Sequence, residues 1–433
     1  MKIIKKIRKK RRKLIRRFFK SPIKKRLAQY SKTHPRFRKC WKKILYTKRR
    51  IYYWWRGLGV TPDEKTVVFN SFNGKTYGCS PKAVYEYMLT QDEFKDWTFI
   101  WAFKNAKKHR FLEENPNTIV VKQTARVYEK KLIRAKYWIT NYRVPDHVWP
   151  QKDQVYVQCW HGTPLKRLGY DLETSENAID SIADIRKKYA MDAEKFNYIL
   201  SPSGFASEKF TSAWNLKETK MEDKVMEIGY PRNDFLINHT QEDIRMIKEK
   251  LEIPEDKKVI LYAPTWRENQ HLPGEGYQFQ LPVDFKRWRE VLGEEYVVLF
   301  RAHYFISNSF DFEAFQGFVY DVSQIDDINP LYLAADVLIT DYSSVFFDYA
   351  NLRRPILFFM YDYEQYKHEM RDFYFDIHML PGPVLMNQEE VLKTLKNLPD
   401  MVDKYEKKYA EFNNVFNPHR ERCSEKYLRE WMR

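Results

Sequence analysis

The sequence predicts an α/β protein, two doubly wound parallel sheets in tandem behind a basic arm. Three observations carry this. Short apolar runs without polar alternation recur between amphipathic stretches from about residue 64, the pattern of parallel strands covered on both faces. The rhythm breaks over about 233–257 and then restarts. Finally, 433 residues at 43% hydrophobic content exceed one core of ordinary size, so two domains are expected.

The arm comes first. Residues 1–50 hold 24 Lys and Arg and no Asp or Glu, so the net charge of +18 belongs to this segment. The rest of the chain has 52 basic against 58 acidic residues, a net of −6. Ile3, Ile4, Ile7, Leu14, Ile15, Phe18 and Phe19 fall on one stripe of a helix, and Lys or Arg fills nearly every other position before Ser21-Pro22. A second basic stretch carries Trp41, Ile44, Leu45 and the run Ile51-Tyr52-Tyr53-Trp54-Trp55. The stripe suits an interfacial helix whose cations meet an anionic membrane surface, each contributing about 1 kcal/mol. A solvated tail and a nucleic-acid arm are the competing readings. Phosphate binding needs no apolar stripe, so membrane is expected and nucleic acid is not.

No apolar stretch approaches the roughly 20 residues that span a bilayer, and the N-terminus lacks the long apolar region of a secretory signal. Cys40, Cys79, Cys159 and Cys423 make no CxxC pair. A reducing, cytosolic setting is expected, with no disulfide framework or zinc site.

Strands of the first unit are expected at 66–72, 97–103, 118–122, 137–141, 155–159 and 198–201. Those of the second are expected at 259–263, 296–301, 318–322, 337–340 and 355–359. The chain therefore divides into an arm (1–56), a first domain (57–235) and a second domain (236–433), with the last helices free to pack back on the first domain. In doubly wound sheets ligands sit beyond the carboxyl ends of strands. Between two facing units, a cleft is the expected site.

Four strand ends carry polar groups. The run VYVQC is followed by Trp160-His161-Gly162-Thr163-Pro164-Leu165. A lone histidine after a strand is more often structural than catalytic. Here Gly162 lets backbone approach a ligand, and an imidazole near its ordinary pKa suits proton transfer from a hydroxyl. Val259–Ala263 leads to Pro264-Thr265-Trp266-Arg267, where turn chemistry is the plain alternative. Tyr296–Phe300 leads to Arg301-Ala302-His303, which could pair donors on a diphosphate or be a surface Arg beside a satisfied His. Val337–Thr340 leads to Asp341-Tyr342-Ser343-Ser344, and a helix begins near Val345. Ser343 or Ser344 is a natural N-cap, or an anion site with free N–H groups and two hydroxyls. Asp348, one turn on, could bind a ligand hydroxyl or simply suit a helix N-terminus. Arg232, in Gly229-Tyr230-Pro231-Arg232, could reach the cleft from the junction of the halves.

At these residues the chain resembles the CDP-glycerol:glycerophosphotransferases that build wall teichoic acid and related bacterial polymers. The matching motifs are WHGTPLKRLGYD, SPSGFASEKF, GYPRNDFL, ILYAPTWRE, LFRAH and DVLITDYSSVFFDYANLRRPILFF, spread over about 155–380. Residues 1–56 lie outside the resemblance. The family is similar to GT-B glycosyltransferases, so the resemblance implies a GT-B-like fold with acceptor in the first domain and CDP-alditol in the second. It implies donor contacts at His161, Gly162, Thr163, Pro164, Leu165, Arg232, Pro264, Thr265, Arg301, Ala302, His303, Ser343, Ser344 and Asp348, with His161 and His303 essential.

The implied reaction is transfer of glycerol phosphate from CDP-glycerol to a hydroxyl of a lipid-linked saccharide, releasing CMP, at the cytoplasmic face of a bacterial membrane. His161 would be the general base. Arg301, His303 and the serine turn would offset diphosphate charge. No Asp/Glu/His cluster has ligand spacing, so no bound metal or cofactor is expected, and CDP-glycerol enters as substrate. The sequence does not separate CDP-glycerol from CDP-ribitol, nor a wall polymer from a capsule polymer. The single catalytic body leans toward priming or short extension. A GT-B glycosyltransferase or sugar-nucleotide epimerase fits less well, because those tend to carry Gly-Gly where this chain has Ser343-Ser344.

Overall fold

The structure, a computed structural model, describes residues 30, 34–173, 181–265, 271–272, 276–277, 281–302, 310–364 and 373–432. The arm residues from Ile3 to Phe19, His303, and the Trp266-Arg267 pair lie outside these. The chain forms two compact units, 1–60 with 145–149, and 61–144 with 150–433.

The first unit contains α1 (Pro35–Gly57). Proline at the first helical position costs no hydrogen bond and sets φ for the helix. The helix contains no acidic residue. It leaves Ile44, Ile51, Tyr52, Trp54 and Trp55 exposed, and Leu58 just beyond it. Within this unit the Arg50 guanidinium lies 4.6 Å from the Trp149 ring centroid.

The second unit holds two parallel sheets. The first comprises β1 (Asp63–Asn70), β2 (Thr98–Phe103), β3 (Thr118–Lys122), β4 (Ala135–Thr140), β5 (Val155–Gln158), β6 (Tyr198–Ser201) and β7 (Val225–Glu227). Their spatial order is β3-β2-β1-β4-β5-β6-β7, and every pairing is parallel. The second sheet comprises β8 (Lys258–Ala263), β11 (Tyr296–Phe300), β12 (Val319–Asp321), β13 (Val337–Thr340), β14 (Ile356–Phe359) and β15 (Val384–Leu385), in the order β12-β11-β8-β13-β14-β15. A small antiparallel pair, β9 (His271–Leu272) and β10 (Gly276–Tyr277), stands apart. The second sheet and the first six strands of the other thus repeat one Rossmann-like order, with a switch point between the first and fourth strands of each.

The strand sequences explain this. Thr98–Phe103 reads TFIWAF with only its first residue partly exposed, and Tyr296–Phe300 reads YVVLF with all five buried. Such runs have no face for water, so helices must cover both sides. On the second sheet one face packs Phe346, Phe347, Phe375, Phe412 and Phe416 against Leu261 and Leu338, and the other packs Trp288 and Phe285 against Tyr262 and Phe300.

The polar segment between the halves is helical: α6 (Asp234–Asn238) and α7 (Gln241–Lys250), the latter opened by a capping box between Thr240 and Asp243. The last helix, α13 (Cys423–Trp431), buries Cys423, Tyr427, Leu428 and Trp431 in the core of the first sheet. Gly229 makes room for it. Its φ is +105°, and a Cβ there would lie 2.5 Å from Cys423 Sγ.

The two sheets' domains are pinned together by a carboxylate network. Asp326 accepts from Tyr77 N (3.1 Å), Lys108 Nζ (2.5 Å) and His109 Nε2 (2.7 Å). Asp327 pairs with Lys82 at 2.7 Å. Burial pushes the Asp326 carboxyl up, but the bonds from Lys108, His109 and the Tyr77 amide outweigh it and hold the group below the usual range.

Candidate active site

The residues beyond the strands build the site. In the first sheet, β4 ends at Thr140, and Asn141 follows fully buried. The Asn141 side-chain oxygen accepts from Phe72 N at 2.7 Å, which braces the loop after β1. The second sheet repeats the arrangement. Asp341, next after β13, accepts from Thr265 N at 2.8 Å and from Tyr342 N at 2.7 Å, bracing the loop after β8. Each switch point is therefore closed by a side-chain acceptor from one strand end bonding a backbone donor two residues beyond the other. Thr340 Oγ1 adds a bond to Ala263 O at 2.8 Å.

His161 stands beside the first brace. Its Nδ1 lies 3.2 Å from the Asn141 carbonyl. A carbonyl only accepts, so Nδ1 carries the proton and Nε2 keeps the lone pair. His161 is exposed but set in crowded surroundings, with Trp160 at 4.4 Å and Phe72 at 6.0 Å between ring centroids. Crowding lowers its pKa from 6.5 to about 4; the Asn141 bond opposes this, and the Arg232 and Arg143 cations add to it. The imidazole is therefore neutral near pH 7. Trp160, just before it, has φ of +49°, a conformation that costs a bulky residue of order 1–3 kcal/mol. Its N–H bonds Gln158 Oε1 at 3.0 Å and its ring packs edge-on to Trp214 at 4.8 Å, which holds the strained turn.

Gly162 faces the other domain. A Cβ on Gly162 would lie 2.6 Å from Ser344 Oγ and 3.4 Å from Ser344 Cβ. The glycine expected to admit a ligand thus admits Ser344, and the loops after β5 and β13 touch there. Thr163 and Pro164 are buried, and Pro264, Thr265, Ser343 and Ser344 are half-buried.

The helix after the serines, α10 (Val345–Tyr349), has five residues, and Ser344 at its N-cap makes no side-chain cap bond. The capping reading of Ser344 is therefore not supported, and because a single turn has little macrodipole, an anion there would rest on the serine hydroxyls. The remaining site residues have partners of their own. Arg232 and Asp348, expected to bind donor, bind each other. Arg232 Nε and Nη2 meet the two Asp348 oxygens at 3.1 and 2.9 Å, both side chains are buried, and Tyr230 covers the guanidinium at 3.9 Å. Burial alone would drive the proton off Arg232; Asp348 holds it there.

Arg301 sends Nη1 to the Val322 and Ile325 carbonyls, both at 2.9 Å, and Ala302 N bonds Ser323 Oγ at 3.1 Å, so this segment is tied to the loop after β12. Leu165 enters the core of the second sheet, and its carbonyl accepts from Tyr374 N at 2.9 Å, a crossing tie between domains. A cavity of about 130 Å³ adjoins Arg232, lined among others by Lys82, Glu86, Asp234, Asp327 and Asn329. Its lining excludes His161, Ser343 and Ser344, so it is not the strand-end site. Among the described residues no group of His, Cys, Asp or Glu could hold a metal ion.

Sequence reasoning missed Asn141, Arg143 and the bracing role of Asp341. The signal for the first two was the polar Asn141-Tyr142-Arg143 directly after a buried strand.

Two sheets of this order, with braced switch points and loops touching at Gly162 and Ser344, define a protein of the two-Rossmann-domain class. Residues 56–430 match the model of one family, CDP-Glycerol:Poly(glycerophosphate) glycerophosphotransferase, and the chain belongs to it. It is 41% identical over 336 residues to the teichoic acid poly(glycerol phosphate) polymerase of Bacillus subtilis (strain 168), covering 77% of this chain and 44% of that one. It is 37% identical over 359 residues to the teichoic acid glycerol-phosphate transferase of Staphylococcus aureus (strain NCTC 8325 / PS 47), covering 82% and 89%. The chain spans about half the length of the first curated relatives it matches, 44% and 48%. Among solved structures it resembles the wall teichoic acid polymerase TagF, in a variant soaked with CDPG, at a TM-score of 0.80 and 35% identity, covering 92% of this chain and 96% of that one.

Proposed function

We propose that this protein transfers glycerol phosphate from CDP-glycerol to a hydroxyl of a lipid-linked saccharide acceptor in teichoic acid synthesis. The observation that carries the reading is the geometry of His161, whose Nδ1–H is held by the Asn141 carbonyl so that Nε2 keeps the lone pair at a strand end where the two domains meet. Family membership and the likeness to a polymerase soaked with CDPG support the choice of donor. The acceptor oxygen attacks the phosphorus bearing glycerol, its proton passes to His161 Nε2, and the bond to CMP breaks as CMP leaves with the electron pair. The first domain, 57–235, takes the acceptor, and the second, 236–433, takes the donor. Thr163, Pro164, Pro264, Thr265, Ser343 and Ser344 line the donor side, His303 joins Arg301 in offsetting charge, and no bound cofactor is used.

The arm of residues 1–56 holds the enzyme on the anionic cytoplasmic face of the membrane. Support comes from the acid-free α1 with its exposed Trp54 and Trp55, which suit a headgroup boundary. No described helix is long and apolar enough to cross a membrane.

The test is incubation with CDP-glycerol or CDP-ribitol and primed or unprimed lipid-linked disaccharide, following CMP release and product length. Glycerol phosphate transfer is expected, falling by about 10²-fold or more in His161→Ala. Near-normal transfer in that variant removes His161 as the base.

A further inference from the structure

We propose that Arg143 is a phosphate-binding residue of the His161 site, its guanidinium taking an oxyanion of a substrate phosphate. This deepens the transfer reading and rests on it for the identity of the substrates. The first support is position. Arg143 lies two residues beyond Asn141, whose carbonyl holds His161. Its Cζ sits 5.0 Å from the Tyr189 ring centroid. Tyr189 packs on Trp214 at 4.6 Å, Trp214 on Trp160 at 4.8 Å, and Trp160 on His161 at 4.4 Å. A continuous aromatic wall therefore runs from the imidazole to the guanidinium, and the loop after β4 touches both ends of it.

The second support is the fate of the other cations. Arg232 is neutralised by Asp348 and Arg167 pairs with Glu173, while Arg186 bonds the Tyr170 and Leu172 carbonyls and Arg301 directs Nη1 to two carbonyls but keeps its charge for the donor side; Arg167 and Arg186 each also leave a buried Nε unbonded. Arg143 has neither a carboxylate nor a carbonyl partner among the described residues, and its Nη1 is buried with no hydrogen bond. A buried donor left unmade is costly, more so on a charged group. A guanidinium offers a planar fork that matches phosphate oxygens, and its charge is worth most where water is partly excluded. The same cation favours the neutral His161 that proton transfer requires. An oxyanion arriving at Arg143 satisfies the orphan donor at the other end of the wall from His161.

The experiment uses the full chain and the variants Arg143→Gln and Arg143→Lys. Inorganic pyrophosphate is titrated while the His161 imidazole is followed by NMR, with thermal unfolding as the folding control. Pyrophosphate is expected to shift the wild-type His161 signal, and Arg143→Gln to weaken its binding by at least about tenfold, which is 1.4 kcal/mol. Arg143→Lys, keeping charge but not the fork, should recover part of the loss. Removing the cation should also raise the His161 pKa, an effect that a purely structural role would not have in a folded variant. In turnover assays a raised KM for CDP-glycerol assigns the oxyanion to the donor diphosphate, and a raised acceptor KM assigns it to the acceptor's phosphate. Unchanged pyrophosphate binding in folded Arg143→Gln overturns the proposal. If Gln prevents folding, wild-type affinity in Arg143→Lys overturns it as well. Should the wild type transfer nothing from CDP-glycerol, the functional reading fails, while the pyrophosphate titration still decides Arg143.

Discussion

Gly162→Ala adds one methyl group at the contact between the two domains. The new Cβ falls 2.6 Å from Ser344 Oγ and 3.4 Å from Ser344 Cβ. Gly162 is not among the residues with positive φ, so the backbone itself accepts alanine. All the strain is therefore in the side-chain contact. The first distance is impossible for two heavy atoms that are not bonded; the second is tight but ordinary. Ser344 Oγ must rotate away, or the loops must part. An off-rotamer serine costs about 0.5–1.5 kcal/mol, so global stability should fall by about 1 kcal/mol at most. Turnover is more sensitive, since a displacement of about 1 Å can cost on the order of 10²-fold. Ser344→Ala removes the clashing oxygen and leaves the 3.4 Å contact. The double variant Gly162→Ala/Ser344→Ala should then be better than its two single losses combined, with a coupling of about 0.5–3 kcal/mol. The assay is kcat/KM for CMP release with CDP-glycerol for all four proteins, alongside Tm. Wild-type turnover in Gly162→Ala, or strictly additive losses in the double variant, would refute the claim that Gly162 exists to admit Ser344.

Asp348→Asn leaves the buried Arg232 charge without its counterion and should cost about 3–5 kcal/mol in chemical unfolding; a loss under about 1 kcal/mol would show the pair to be dispensable. Deleting residues 1–56 should spare turnover on a soluble acceptor analogue and reduce it on anionic vesicles. Equal pelleting of both forms with anionic liposomes would remove the membrane reading.

The strands were legible because burial on both faces leaves a continuous apolar run. Val337–Thr340, Thr118–Lys122 and Tyr198–Ser201 end where the pattern ends. The short edge strands β7 and β15 were not legible, since three and two residues carry no pattern and exist only through pairing with β6 and β14. Within the site, the residue types at strand ends were visible, but their partners were not. Arg232 and Asp348 are 116 positions apart, and only the fold brings them together. For the same reason the pairing of Arg232 with Asp348 could not be read in the sequence, nor could the buried, unbonded Nη1 of Arg143. The left-handed Trp160 was equally hidden, because nothing local marks a tryptophan for positive φ.

The two braces, Asn141 to Phe72 and Asp341 to Thr265, each begin and end within a single domain. Neither depends on the other half for a partner. Each set of loops therefore keeps its shape by a bond within its own half, independently of the ties that pin the halves together. The bond from Thr265 to Asp341 joins the loops 263–265 and 341–344 into one unit within their domain, with Ser344 as its contact to Gly162. Exchanged together with those of a ribitol-using relative, they should transplant with their shape intact; exchanged singly, they would lose the bond that gives them one.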